Sequence, residues 1–218
     1  MNIKDLGNLT DVLKNQDKDA LIKVLLDYAQ KDEQINQDLL YRFTGRNLVS
    51  YARNIIQTSI KRVMRRDFIE YKYVKEAMSG ANEILEMAEN MVDDVLPCLS
   101  VCPVIFEEIL ELYNKCDNII ELEIVLARTT VLIEDVVAAI PDDFTDIENA
   151  FDFILDCMRK TYMDGVVDWK NDLLHSCVPL CRVPNVRKKF ENYLLSIKDE
   201  NKYIKEDVDE ILCDIRNK

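Results

Sequence analysis

From Asp17 onward the apolar residues of this chain recur with a helical period. Leu21, Val24, Leu25 and Tyr28 fall at i, i+3, i+4 and i+7, on one stripe of a helix starting near Asp17. Residues 1–16 carry no such pattern and read as a loose lead-in. "EQINQDLLYRF" continues the period with Ile35, Leu39, Leu40 and Phe43 inward and Gly45 as a stop. The two segments predict an αα-hairpin. "NLVSYARNIIQTSIKRVMRR" predicts a third helix capped near Asn47. A long fourth helix is expected over 71–94, with Val74, Ala77, Met78, Ala81, Leu85, Ala88 and Val92 inside. Pro97 and Pro103 bracket "CLSV" and predict a break before a fifth helix over 103–115.

The sixth helix is the most apolar. Ile119, Leu122, Leu126, Thr129, Ile133, Val137 and Ile140 hold its period, and Val125, Leu132 and Val136 widen the stripe. An arc that broad implies more than one packing neighbour. Pro141 ends it. A seventh helix lies in "DDFTDIENAFDFILDCMRKTYM", with Asp143 or Thr145 as caps and Gly165 as its close. An eighth is expected over 168–181 and a ninth over 184–197, with Pro184 in its first turn. The last, over 203–216, puts Ile204, Val208, Ile211, Leu212 and Ile215 on one side. Nothing alternates with a period of two, so the fold class is all-α. About ten antiparallel helices on short loops make either a bundle or an α-α superhelix of stacked hairpins.

One short pattern occurs twice. Phe68, Ile69, Glu70, Tyr71 and Lys72 correspond to Val166, Val167, Asp168, Trp169 and Lys170, an offset of 98 residues. Each copy follows a helix with basic residues near its end and precedes a new helix. The physical reading is a helix–helix corner: two apolar residues plug the seam, the acid caps the next helix, and the ring anchors its first turn. Two such corners predict related halves at about 17–116 and 118–197, followed by a C-terminal helix, within one helical domain spanning 17–218.

"LIKVLLDYAQKDEQINQDLL", "RDFIEYKYVKEAMSGANEILEMAENM" and "DGVVDWKNDLLHSCVPLC" resemble the helix pairs and corners of bacterial HEAT-like helical-repeat proteins of uncharacterised function. These include helical regions that accompany SWIM zinc-finger domains. The resemblance covers most of residues 17–197 and implies a HEAT/ARM-like α-α superhelix. It implies no catalytic residues, and the chain shows no recognisable cysteine and histidine set of a SWIM finger.

Composition narrows the picture further. Glycine (4) and proline (5) are too scarce for a turn-rich β or doubly wound fold. A net charge of −13, from 41 acids against 28 bases, disfavours nonspecific attraction to nucleic acid or anionic membrane. The start, "MNIKDLGNLTDVLKNQDKDA", holds no apolar run of signal-core length, and charges cut the longest apolar stretches elsewhere well before the roughly 20 residues that span a bilayer. An odd set of seven cysteines in amphipathic segments fits free thiols in a reducing cytoplasm.

Candidate chemistry is sparse. Cys98/Cys102 and Cys177/Cys181 have ligand-like spacing, and four thiolates would hold zinc tetrahedrally. The same i,i+4 spacing puts each pair on one helix face among apolar neighbours, where cysteine acts as a small hydrophobe. His175 has Cys177 only two positions away, on a different face. Arg62 with Arg66, and Lys188 with Arg187 or Lys189, have spacings that would grip a phosphate, but no phosphate-loop or nucleic-acid motif accompanies them. Eight acids and no base lie between Ser79 and Glu111, and eight more with no base between Glu134 and Asp156. No catalytic, cofactor-binding or metal-ligating residue is assigned, and no cofactor is expected. The reading is a non-catalytic interaction or scaffold module with a protein partner met through charge. The alternative is a helical protein that binds a small molecule or metal.

Overall fold

The computed structural model describes residues 13–14, 16–32, 35–36, 39, 48–160, 168–198 and 205–217, with the backbone alone at 168–171 and 217. The chain divides into two compact units, Met1–Tyr51 and Ala52–Lys218. In the first, helix α1 (Lys18–Lys31) forms where its period predicts, and Lys31 pairs with Asp27 one turn back at 2.7 Å. Its expected inner stripe is not inside. Leu21 is half-buried, Val24, Leu25 and Tyr28 are exposed, and no residue of the helix is buried. A period fixes which residues share a face; it does not supply the element that covers it. The segment expected to do so, "EQINQDLLYRF", lies largely outside the described residues.

Helix α2 (Leu48–Val63) leads into the second unit. There a 3-10 turn (Tyr71–Tyr73) and a single-turn helix α3 (Val74–Ala77) precede α4 (Ser79–Glu89), α5 (Val95–Leu110), α6 (Ile120–Ala139) and α7 (Ile147–Lys160). Helix α8 (Asp168–Ser176), a second 3-10 turn (Val178–Arg182), α9 (Pro184–Lys198) and α10 (Lys205–Asn217) complete the order. The protein is all-α: among the described residues extended pairing is limited to two isolated bridges, Arg65 with Phe68 and Ile69 with Cys116. No helix among them is long and apolar enough to cross a membrane.

Packing follows a rule of one and two steps. Helix α5 packs on α4, α6 and α7; α6 on α4 and α8; α7 on α8 and α9; and both α8 and α9 on α10. Even-numbered helices α4 to α10 therefore lie side by side in one layer, with α5, α7 and α9 in a second. Helix α5 is buried nearly all round, as a helix with neighbours on several sides must be. Its continuity corrects the expected break between Pro97 and Pro103. Pro97 falls in the first turn, where its missing N–H is no loss. Pro103 does sit inside the helix, at a cost of about 3 kcal/mol. Burial of Val101, Val104, Ile105 and Phe106 around it, each contributing roughly 1.5–3 kcal/mol, outweighs that cost.

Other boundaries shift for local reasons. The expected fourth helix breaks at Met78, where the Ser79 hydroxyl donates to the Glu76 carbonyl at 2.7 Å and Gly80 follows, a pair that favours a kink. Its inner residues from Val74 to Ala88 are nevertheless buried as expected. Asp143 and Thr145 stand ahead of the first turn of α7, whose Ala150 N–H is bonded to the Asp146 carbonyl at 3.1 Å. The expected eighth helix ends early, giving way to a 3-10 turn with Pro179 at its start.

The first corner is built differently from its expected form. Arg66 and Asp67 both take left-handed backbone conformations, φ 50° and 61°, and fold the chain into a tight reversal closed by reciprocal Arg65–Phe68 bonds of 2.8 and 3.0 Å. Successive extended residues then point to opposite sides. Ile69 is buried, with its N–H donating to the Lys115 carbonyl at 2.8 Å, while Phe68 and Tyr71 are exposed. Two adjacent residues in extended backbone cannot both plug one seam. Glu70 makes no cap bond and pairs with Lys72 instead, at 3.2 Å. In the second copy, Asp168 and Trp169 open α8, while Val166, Val167 and the Trp169 side chain lie outside the described residues.

Candidate functional site

Polar side chains of the second unit fall into two groups, and the first is an ion-pair ladder across α2, α5 and α7. Arg53 on α2 meets Glu107 on α5 with both arms of its guanidinium, at 3.0 and 3.1 Å, and reaches Glu108 at 2.5 Å. Gln57, one turn along α2, donates to the same Glu108 oxygen at 3.0 Å. Lys160 at the end of α7 completes the ladder, 2.5 Å from Glu107 and 3.4 Å from Asp156. Glu108 is buried, so its charge is tolerable only with these donors in place. The sequence places Glu107 and Glu108 in a base-free segment, yet both bind bases from elsewhere in the chain.

Arg53, and after it Lys160, hold the Glu107 carboxyl down at about 2. Its stabilising effect is complete above the ordinary range near 4.5 and is lost as pH falls toward about 2. Glu107→Gln is expected to flatten that limb of the acid-unfolding curve followed by circular dichroism. An unchanged acid limb would show that these pairs carry no weight.

Several other bases are also paired. Arg62 meets Glu76 at 3.1 Å, and Arg66 lies past the helix end in the left-handed turn, so Arg62 and Arg66 do not share a helix face. Lys189 holds Asp152 at 2.9 Å, and the Arg187 Nε–H donates to the Cys181 carbonyl at 3.1 Å. The open groove between α7 and α9, about 960 Å³, is lined by such groups, among them Asp152, Asp156, Arg159 and Lys189.

The two cysteine pairs are joined through a third helix. Burial raises the thiols of Cys98 (to about 12), Cys102, Cys157 and Cys177, and Cys157 is raised further by Cys102 and Cys177. All seven cysteines are free. Cys102 and Cys181 bond backward to the carbonyls of Cys98 and Cys177, as residues in a packed helical core do. Among the described residues no group of three or more His, Cys, Asp or Glu is arranged to hold a metal ion. His175 is exposed on the last turn of α8.

The second group lies on the even-numbered layer, and the sequence reading missed half of it. The inner residues of α6 from Leu122 to Ile140 are buried as expected, but Ile119 is not. On the opposite side Ile120, Ile124 and Val131 are 62%, 48% and 53% exposed. With Ala127 they follow the 4-3-4 spacing of an outward face. The signal was present, since these positions are apolar although they fall off the inner stripe. Arg128 beside them donates to Asn82 at 2.7 Å and Glu89 at 2.8 Å, joining α6 to α4. At the far end, burial and then the charges of Asp172 and Asp135 raise the Glu134 carboxyl above its ordinary value. Among the described residues no base pairs with Glu134, Asp135, Asp172, Glu83 or Glu86.

Comparison of the chain with protein-family models, curated proteins and solved structures gives no match. Neither a bacterial origin nor an association with SWIM zinc-finger proteins finds support in these comparisons.

Proposed function

We propose that this chain is a non-catalytic protein–protein interaction or scaffold module, an α-α superhelix of HEAT/ARM-like stacked hairpins. The observation that carries the reading is how charge is divided. Bases are taken up in pairs between neighbouring helices, as in Arg53–Glu107, Lys189–Asp152 and Arg128–Glu89, and acids are left over on the even-numbered layer. An extended helical array with surplus charge of one sign suits recognition of a partner of opposite sign. An enzyme needs polar groups converging on one enclosed point, whereas the ladder residues are engaged with each other. The repeated corner supports two related halves, about 17–116 and 118–197. The first copy leads through the 3-10 turn and α3 toward α4, and the second runs into α8. Seven free thiols support a reducing compartment such as the cytoplasm.

Lysate of the source organism passed over the immobilised protein at low and high salt tests the reading. The expected result is specific capture of a protein that salt releases. Absence of any partner, together with a metal or small molecule that raises the melting temperature, would favour the ligand-binding alternative.

A further inference from the structure

The outward face of α6 has the chemistry of a docking strip. Ile120, Ile124 and Val131 leave large aliphatic surface in water along eleven residues of helix, about 17 Å at 1.5 Å per residue. Isolated exposed apolar residues are ordinary, but three in register on one face are a patch. Along its border Lys75 is paired with Glu121 and Arg128 with Glu89, so the charges left without an opposite partner are acidic. Glu86 shares a face of α4 with Asn82 and Glu89, the two residues that hold Arg128 between Ile124 and Val131. At the C-terminal end Glu134 and Asp135 follow Val131 by three and four residues, and Asp172 of α8 stands close enough to perturb Glu134.

Resting on the interaction-module reading, we propose that this strip binds a basic amphipathic helix of a partner protein. Its apolar side chains would cover Ile120, Ile124 and Val131, and its lysines or arginines would meet the bordering carboxylates. The length fits about three turns of partner helix, the usual span of a helix laid on a groove. Charge selects this occupant over a second copy of the chain. A two-fold dimer would set the same patch against itself, acid facing acid. The sequence alone suggested recognition by charge; the structure adds an apolar centre, which supplies affinity where the acids supply rate and selectivity.

The probe is a fluorescein-labelled peptide of about 18 leucines and lysines with all leucines on one helical face, beside a peptide of the same composition in scrambled order. The full chain is expected to bind the first at least tenfold more tightly than the second. Ile124→Ser with Val131→Ser is expected to weaken that binding about tenfold with an unchanged melting temperature, since both side chains are already in water. Glu134→Gln, Asp135→Asn and Asp172→Asn together should reduce both affinity and its salt dependence. Equal binding of the two peptides, or binding indifferent to the serine variant, would overturn the proposal. So would a dimer in sedimentation velocity that the serine substitutions dissolve. If the serine variant still captures the salt-released partner from lysate, the interaction-module reading stands and only this surface is wrong. If neither form captures a protein, the module reading itself fails.

Discussion

Arg53→Ala is expected to reduce the unfolding free energy by about 2–3 kcal/mol, more than any other single loss of charge in the second unit. The effect comes mainly from what is left behind. Glu108 is buried at 6% exposure, and Arg53 provides one of its two donors, so the alanine variant leaves a buried carboxylate with Gln57 alone. Removing one member of a fully buried pair costs about 3–5 kcal/mol, and the lower figure reflects an arginine side chain that is 37% exposed. Arg53→Lys should fall between, because an ammonium keeps the charge but cannot serve Glu107 with two parallel bonds while reaching Glu108. Adding Glu108→Gln to Arg53→Ala is the decisive control. If the uncompensated charge is the cause, the double variant recovers much of the loss; if lost packing of the arginine stem is the cause, it recovers none. Urea unfolding of the four proteins measures this, and an Arg53→Ala variant within about 0.5 kcal/mol of the parent would refute the ladder as a stabilising element.

The same residues mark where the sequence could be read and where it could not. Helical period located α2, α6, α9 and α10, and the inner residues named for α6 and α10, because a residue's face is a local property of 3.6-residue geometry. Glu107 and Glu108 were visible only as members of an acidic run; their shared partner Arg53 lies 54 and 55 residues away on a different helix. Which charges pair is decided by the stacking order, and one chain's charges do not state that order. The prolines misled for a related reason. Pro103 has a clear local cost, but the burial that offsets it comes from neighbouring helices. The repeated corner was recognised as a joint. The positive φ angles of Arg66 and Asp67 then reversed the side on which Phe68 falls, and neither residue type announces that conformation. On α6 the named arc is buried apart from Ile119, and the reading stopped there: Ile120, Ile124 and Val131 lie off that stripe and were not considered.

Stacking also explains why the bases and the surplus acids separate. Where two helices of a layer run side by side, long side chains at their common border reach across, and Lys160, Lys189 and Arg128 all do so. Shorter acids on outward faces have no such border to reach. Among the described residues these bases tie neighbouring helices together, while Glu134, Asp135 and Asp172 have no base beside them.

Gly80→Ala is expected to destabilise the protein by about 2 kcal/mol, a drop of roughly 4–8 °C in melting temperature for a domain of this size. In an ordinary helix the same change would stabilise by about 1 kcal/mol, since glycine is a poor helix former. Here α4 crosses α2 so closely that a Cβ on Gly80 would lie 2.5 Å from the Ser59 Oγ and 2.6 Å from the Ile55 carbonyl oxygen. The serine hydroxyl, which donates to that carbonyl at 3.2 Å, is the softer contact because it can turn to another rotamer. The carbonyl cannot turn. It belongs to the backbone of α2, whose flanking Ile56 and Ile60 are buried, so relief requires one helix to move away and opens space elsewhere in the core. Ser59→Ala in the Gly80→Ala background should therefore restore only part of the loss. Full recovery would mean that the hydroxyl alone sets the crossing. A Gly80→Ala protein more stable than the parent would mean that α2 and α4 do not approach this closely in solution.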